Sequence, residues 1–358
     1  MDSVRFCNYT IGTDAYAEVP AVCRPYGSRA LLIGGVKSMA AAKPQLETVL
    51  EEAGIVLADS VVYGTDCTFA NIHRWADYAK DLQVDMIFGM GGGKALDTAK
   101  GTAHELDLPI FTFPTIASTC AATTKLSVVY REDGSFECFD LLPRPAIHSF
   151  INTAVIAAAP DCYLRAGMGD TLGKFFECHF AARGDALSHS AALGREISNL
   201  CYLPLLEHGV QALADCRKGL ASPALEQVVL ANIINTGLVS LLVPDQYNGA
   251  VAHSVYYGLV LLPGFEERWL HGDVVAYGVL VQLALDGDWT EFRRLKDFLT
   301  QLGTPTTLAQ MGVPVTREYL REVLPAMIHG KDMEHIPYPI TEDMVFAAMQ
   351  ETEQKGFE

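Results

Sequence analysis

Three residues in this chain could together hold a metal ion. Asp170 lies in Gly-Met-Gly-Asp-Thr, His253 in Ala-Val-Ala-His-Ser and His271 in Leu-His-Gly-Asp. One carboxylate and two imidazoles form a set that leaves positions open for substrate on Zn²⁺ or Fe²⁺. The three are 83 and 18 residues apart, which matches no local metal pattern. Each also has a plain structural use, as an N-cap aspartate, a buried histidine and a capping histidine. A second group is contiguous: Gly91-Gly92-Gly93-Lys94, with Asp97 and Lys100 following at three-residue spacing. It follows an apolar run and opens a helix-like stretch. Glycines let the backbone approach a ligand closely, and a helix N-terminus offers free N–H groups to an anion such as a dinucleotide pyrophosphate. The loop is neither G-x-G-x-x-G nor a Walker sequence, and a tight strand-to-helix turn would use the same residues.

The elements that must position these groups change character along the chain. Up to about residue 160, short apolar runs alternate with helix-like stretches. Leu31–Ile33 precedes Gly34-Gly35 and a helix over 38–53. Val61–Tyr63 ends at Gly64 before a helix over 70–81. Val84–Phe88 leads into the glycine loop and a helix over 94–106, and Ile110–Phe113 ends at Pro114-Thr115. This alternation predicts an α/β unit with a parallel sheet, whose ligands bind where loops gather at the carboxyl ends of the strands. Leu126–Tyr130 and Ser135–Leu141 around Glu132-Asp133-Gly134 predict a β-hairpin. Beyond Pro160 the strand signal fades, and helices are expected over 161–182, 187–218, 222–242, 248–260, 271–286 and 289–302. The expected organisation is an α/β dinucleotide-binding domain over 1–160 and an all-helical metal- and substrate-binding domain over 161–358, with the site in the cleft between them.

Composition narrows the partners. The chain has 358 residues, 26 Lys plus Arg against 43 Asp plus Glu, and a formal net charge of −17. So acidic a surface disfavours nucleic acid and anionic membrane, leaving a small molecule as the expected partner. No stretch reads as a membrane span and the N-terminus lacks the order of a secretory signal. The nine cysteines form no C-x-x-C pair. These features predict a cytoplasmic protein with reduced thiols.

Taken together, the motifs resemble the glycerol dehydrogenase branch of the iron-containing (group III) alcohol dehydrogenases. The matching pieces are Gly91–Lys100, Pro114–Thr119, Gly167–Leu172, Ala252–Ser254 and His271–Gly278, in the family's order and covering about residues 30 to 350. The resemblance implies a dehydroquinate synthase-like architecture and an NAD(P)-dependent oxidoreductase acting on CH–OH groups. It places the metal on Asp170, His253 and His271. It places the dinucleotide on Gly92, Gly93, Lys94, Asp97, Thr115, Ser118, Thr124, Leu126 and Tyr130. It also implies a homo-oligomer.

The departures bear on substrate, metal and cofactor. Glycerol dehydrogenases have an Asp that contacts the polyol where this chain has Cys120. A neutral thiol weakens a polyol contact and relieves repulsion of a substrate carboxylate. Ser118–Ala122 and His335–Thr341 look more like the hydroxycarboxylate dehydrogenase relatives. A 2-hydroxy acid/2-oxo acid pair is therefore the expected substrate. Glycerol or another vicinal diol is the alternative, and a sugar-phosphate cyclase, a lyase, is the alternative from another class. Tyr256 stands where glycerol dehydrogenases have a further His and is expected as a polar wall beside the metal. Lys174 replaces the fourth iron ligand of other members, so three ligands and Zn²⁺ rather than Fe²⁺ are expected. Gly35 stands where NAD-specific relatives have an Asp, and Lys37 could meet a 2′-phosphate, so NADP(H) is expected beside NAD(H).

Overall fold

The computed structural model describes residues 3–355. The contacts divide them into two compact units. The first holds the chain up to Asp161 together with Asp215–Val229; the second holds Cys162–Ala214 and the chain from Leu230 onward. The boundary expected at residue 160 places Asp215–Val229 in the helical part, whereas in the structure this segment packs with the first unit. Local bonds explain the difference: Arg217 Nε donates to Asp161 Oδ2 at 2.8 Å, and Cys216 Sγ lies 3.8 Å from the carbonyls of Ala157 and Ala159.

In the first unit six strands form one parallel sheet: β1 (Asn8–Gly12), β2 (Arg29–Gly34), β3 (Val56–Val62), β4 (Met86–Gly91), β5 (Ile110–Pro114) and β8 (His148–Asn152). Its order is β1-β8-β5-β4-β2-β3. The central strands β2, β4 and β5 read as apolar runs because crossover helices cover both faces. Phe88, Phe111, Phe113 and Phe150 pack together in this core, with ring centroids 5.2 Å apart for Phe88–Phe113 and Phe113–Phe150. The predicted hairpin is β6 (Leu126–Tyr130) paired antiparallel with β7 (Phe136–Leu141).

The connections define where a ligand can sit. β2 runs through α1 (Val36–Ala53) to β3 on one side. The chain then returns through α2 (Phe69–Asp81) to β4 on the other side of β2, and continues through α3 (Gly93–Glu105) to β5. The order reverses between β2 and β4, and a crevice opens at such a switch point at the carboxyl ends of the strands.

The second unit is helical, built around α4 (Asp161–Ala181), α5 (Val251–Leu259), α6 (His271–Leu285), α7 (Trp289–Leu302) and α8 (Glu342–Gln354). The helix expected over 187–218 is two helices, His189–Ser198 and Leu203–Cys216. Pro204 explains the break, since it has no N–H to continue the ladder. By length and composition alone the stretch Pro223–Leu242 could cross a membrane, with mean hydropathy 1.5 over an 18-residue window. That window is 67% buried within the protein. It also contains a π-turn over Leu230–Asn235, where the Thr236 hydroxyl donates to Ala231 O at 2.9 Å. These features mark a core helix.

Candidate functional site

The metal candidates meet because three helices touch backbone to backbone. A Cβ on Gly272 would lie 1.7 Å from the carbonyl oxygen of Ala166, and one on Gly169 would lie 2.0 Å from that of Gly272. Only glycine permits this approach of α4 and α6. A Cβ on Gly278 would lie 2.4 Å from Ala252 O, so α5 and α6 are equally close one residue before His253. Arg165 then clamps α4 to α6 through two bonds to the buried Asp273, at 3.0 and 2.9 Å.

This packing brings together Asp170, His253 and His271. His271 Nε2 lies 3.2 Å and His253 Nε2 3.5 Å from Asp170 Oδ1, and one ligand atom from each residue falls within 4.8 Å of the other two. Burial alone would raise the Asp170 carboxyl, but the bonds from His253 and His271 outweigh it and hold it well below the usual range. Burial alone would lower His253, yet Glu177 and Asp170 raise it to about 10.

The donor set fits a divalent cation. One carboxylate oxygen and two imidazole nitrogens within 4.8 Å of one another are hard and borderline donors of the kind a divalent ion takes. Glu177 and Asp170 act electrostatically on His253, and Asp332 interacts with His253, Glu177, Lys174 and Lys331. Lys174 Nζ donates to Asn248 O at 2.9 Å and to Asn248 Oδ1 at 3.0 Å. It ties the loop before α5 to α4, leaving three ligands. Tyr256 packs edge-on against the His271 ring, with centroids 4.3 Å apart at 82°. Sequence reasoning missed Glu177, Asp332 and the Arg165–Asp273 pair. Glu177 carried one usable signal: it lies seven residues after Asp170, two helical turns along the same face.

In the first unit the expected dinucleotide residues gather at the carboxyl ends of β2, β4 and β5. Gly35 N donates to Met90 O at 3.3 Å and Thr115 N to Gly91 O at 3.1 Å, which ties the three loops side by side. Gly91 has φ of +150°, and a Cβ there would meet Ala95 Cβ at 2.9 Å. Gly92 caps α3 and Gly35 caps α1, neither with a side-chain bond, whereas α2 is capped by Thr68, α7 by Asp288 and α8 by Thr341. Two open helix N-termini at the switch point are suited to phosphate. Gly93 faces Thr119 Oγ1. Thr115 is buried, and Ser118 and Cys120 are half-buried.

Lys94 Nζ pairs with Asp66 and lies 4.6 Å from the Tyr130 ring centroid. Lys37 is exposed on the first turn of α1. Asp97 differs from the expected cofactor contact. Its carboxylate is buried, with Oδ1 2.9 Å from Lys100 Nζ and Oδ2 accepting from Val128 N at 3.1 Å. Lys100 in turn donates to Leu126 O and lies within 3.5 Å of Thr124 O and Oγ1. Burial pushes the Asp97 carboxyl up against the pull of Lys100. Asp97, Lys100, Thr124 and Leu126 thus fasten β6 onto α3, which sets where Tyr130 stands.

A switch-point anion crevice in one unit and a two-His-one-carboxylate centre in the other define a metal-dependent, NAD(P)-dependent oxidoreductase acting on alcohols. The comparisons agree. The sequence model described as iron-containing alcohol dehydrogenase matches residues 7–148. The chain is 33% identical to a glycerol dehydrogenase of Escherichia coli O6:H1 over 360 residues, covering 97% of this chain and 95% of that protein. It is also 33% identical to hydroxycarboxylate dehydrogenase A of Escherichia coli K12 over 331 residues, covering 91% and 90%. The crystal structure of glycerol dehydrogenase from Schizosaccharomyces pombe superposes with a TM-score of 0.88 at 28% identity, covering 100% of this chain and 94% of that one. The chain belongs to the iron-containing alcohol dehydrogenase family, in its glycerol dehydrogenase-like branch.

Proposed function

We propose that this chain interconverts a small vicinal hydroxy-alcohol and its carbonyl, with glycerol and dihydroxyacetone as the first pair to test. The cluster of Asp170, His253 and His271 carries this reading. The likeness to several glycerol dehydrogenases supports the polyol over the 2-oxo acid expected from Cys120. Membership of an oxidoreductase family, with Asp rather than Glu at the metal position, argues against the cyclase alternative.

Asp170 Oδ1 and the Nε2 atoms of His253 and His271 would hold the metal, with zinc preferred over iron because Lys174 is committed to Asn248. When bound, the metal supplies Lewis acidity that polarises the substrate C–O group, and the nicotinamide supplies or accepts hydride. Tyr256 walls the His271 ring and fixes its orientation. The open N-termini of α1 and α3, Lys94, Thr115 and Ser118 would hold the dinucleotide. Gly35 and Lys37, with no acidic residue in the first turn of α1, favour NADP(H). Family membership suggests a homo-oligomer, and the acidic composition suits a small-molecule substrate rather than nucleic acid or an anionic membrane.

A second reading, 2-hydroxy acid dehydrogenation, rests on the neutral Cys120 and on the likeness to hydroxycarboxylate dehydrogenase A. Zinc-reconstituted protein assayed by nicotinamide absorbance separates the two. The expected result is turnover of dihydroxyacetone, with NADPH at least as good as NADH and no turnover by Asp170→Ala. Oxidation of NADPH by 2-oxobutyrate without turnover of dihydroxyacetone would replace the polyol reading by the acid reading. Full activity in Asp170→Ala would sink both.

A further inference from the structure

Glu177 is the most completely enclosed carboxylate beside the metal cluster, with a relative exposure of 0%. It is placed two helical turns after Asp170 on α4. Oε1 accepts from the backbone N–H of Ala250 at 2.7 Å and of His253 at 2.8 Å. These are the N-cap and third residue of α5, whose own N-cap residue, Ala250, has no side chain able to cap. One oxygen of Glu177 therefore does from a neighbouring helix what an N-cap Ser or Asp does within its own. The other, Oε2, accepts from His253 Nδ1 at 2.5 Å. A carboxylate can only accept, so Nδ1 must carry the proton. In the neutral ring this leaves the lone pair on Nε2, the atom that faces Asp170 Oδ1. Gly173 clears the space: a Cβ there would meet Glu177 Oε2 at 3.3 Å and His253 Cε1 at 3.4 Å.

We propose that Glu177 is the positioning residue of the metal centre: one buried carboxylate caps the helix that carries His253 and fixes that histidine as an Nε2 ligand. The proposal rests on the reading that Asp170, His253 and His271 hold the metal. Nothing else in the cluster performs both tasks, because Asp170 reaches only the Nε2 side of the ring.

The informative variant is Glu177→Gln. Its amide oxygen can still accept from Ala250 and His253 N–H, so the cap survives. Its amide NH₂ faces His253 Nδ1 and can only donate, so Nδ1 must accept and the ring proton moves to Nε2, in the path of the metal. The measurement is Zn²⁺ affinity by competition with a chromophoric chelator, together with thermal unfolding of the metal-free protein. The expected result for Glu177→Gln is a loss of about 10- to 100-fold in affinity, the range typical of outer-sphere partners of metal-bound histidine. Its metal-free melting temperature should stay close to wild type, whereas Glu177→Ala should lower both quantities. Wild-type affinity in Glu177→Gln overturns the proposal. So does a loss of affinity that is matched by an equal loss of metal-free stability, because that is a folding effect. Should Glu177→Gln not fold, ¹⁵N-imidazole spectra of the zinc-loaded wild type decide. An Nδ1–H tautomer at His253 is expected, and an Nε2–H tautomer overturns the proposal. Asp170→Ala tests the underlying reading separately: if it binds zinc as wild type does, the metal assignment fails whatever Glu177 does.

Discussion

The two candidate ligand sites, one in each unit, are built from different materials. The dinucleotide crevice is made mostly of backbone: glycine turns, open helix N-termini and peptide bonds that lace three strand ends together. The metal centre is made of side chains carried by three helices, held where they are by glycine contacts, an Arg–Asp clamp and a buried glutamate. A backbone site tolerates changes of side chain but not of chain path. A side-chain site fails when one donor is lost or when the packing that aims it is spread apart.

The largest expected effect breaks the side-chain half directly. Asp170→Ala removes the central donor, and we expect zinc binding to be lost and turnover to fall by about 10³-fold or more, given that a Lewis acid supplies several kcal/mol of transition-state stabilisation. Metal content and initial rate check it. Next comes packing. Gly272→Ala must push α6 away from Ala166 O, because the added methyl would lie at 1.7 Å. We expect a loss of about 4 kcal/mol, the upper range for single substitutions, read by urea unfolding. Gly93→Ala is the counterpart in the backbone half. Its methyl would meet Thr119 Oγ1 at an ordinary 3.5 Å, so stability should hold to within about 1 kcal/mol while the dinucleotide KM rises.

A pH scan separates the halves by stability. His148, in β8 of the first unit, is buried, and burial lowers its pKa from 6.5 to about 4; its Nε2 lies 2.9 Å from Thr10 Oγ1. The unfolded chain takes up a proton below 6.5 and the folded one does not, so stability falls as pH drops from about 6.5 towards 4. Between pH 7 and 4.5 this contributes about 2 kcal/mol. The loss should shrink in His148→Leu relative to wild type. The smallest effect is expected at Lys94, half-exposed and already paired with Asp66. Lys94→Ala should raise the dinucleotide KM about tenfold, equivalent to about 1.4 kcal/mol, with kcat changed less. A larger fall in kcat would mean that this lysine does more than hold an anion.

The legibility of the sequence followed the same division. The glycine loop, the strands feeding it and the Glu132–Gly134 hairpin were readable because each depends on neighbours in the chain. β1 and β8 were not read. β1 is a half-exposed edge strand, and β8 carries His148, Ser149 and Asn152 among buried positions. Asp97 was readable as a motif position but not as the buried partner of Lys100, because the hairpin that closes over it lies 30 residues on. Asp170, His253 and His271 had no joint meaning by spacing alone. Only the family resemblance grouped them.

What the sequence by itself determined is the local chemistry: an α/β half with glycine turns at its strand ends, a helical half, and the residue types a metal would need. What only the tertiary structure decided is which distant groups meet. Gly169, Gly272 and Gly278 let three helices close to backbone contact, and that closeness puts Asp170 against two histidines and Glu177 behind one of them. Periodicity shows which face of a helix is buried, but the partner of that face is set by packing between segments up to a hundred residues apart.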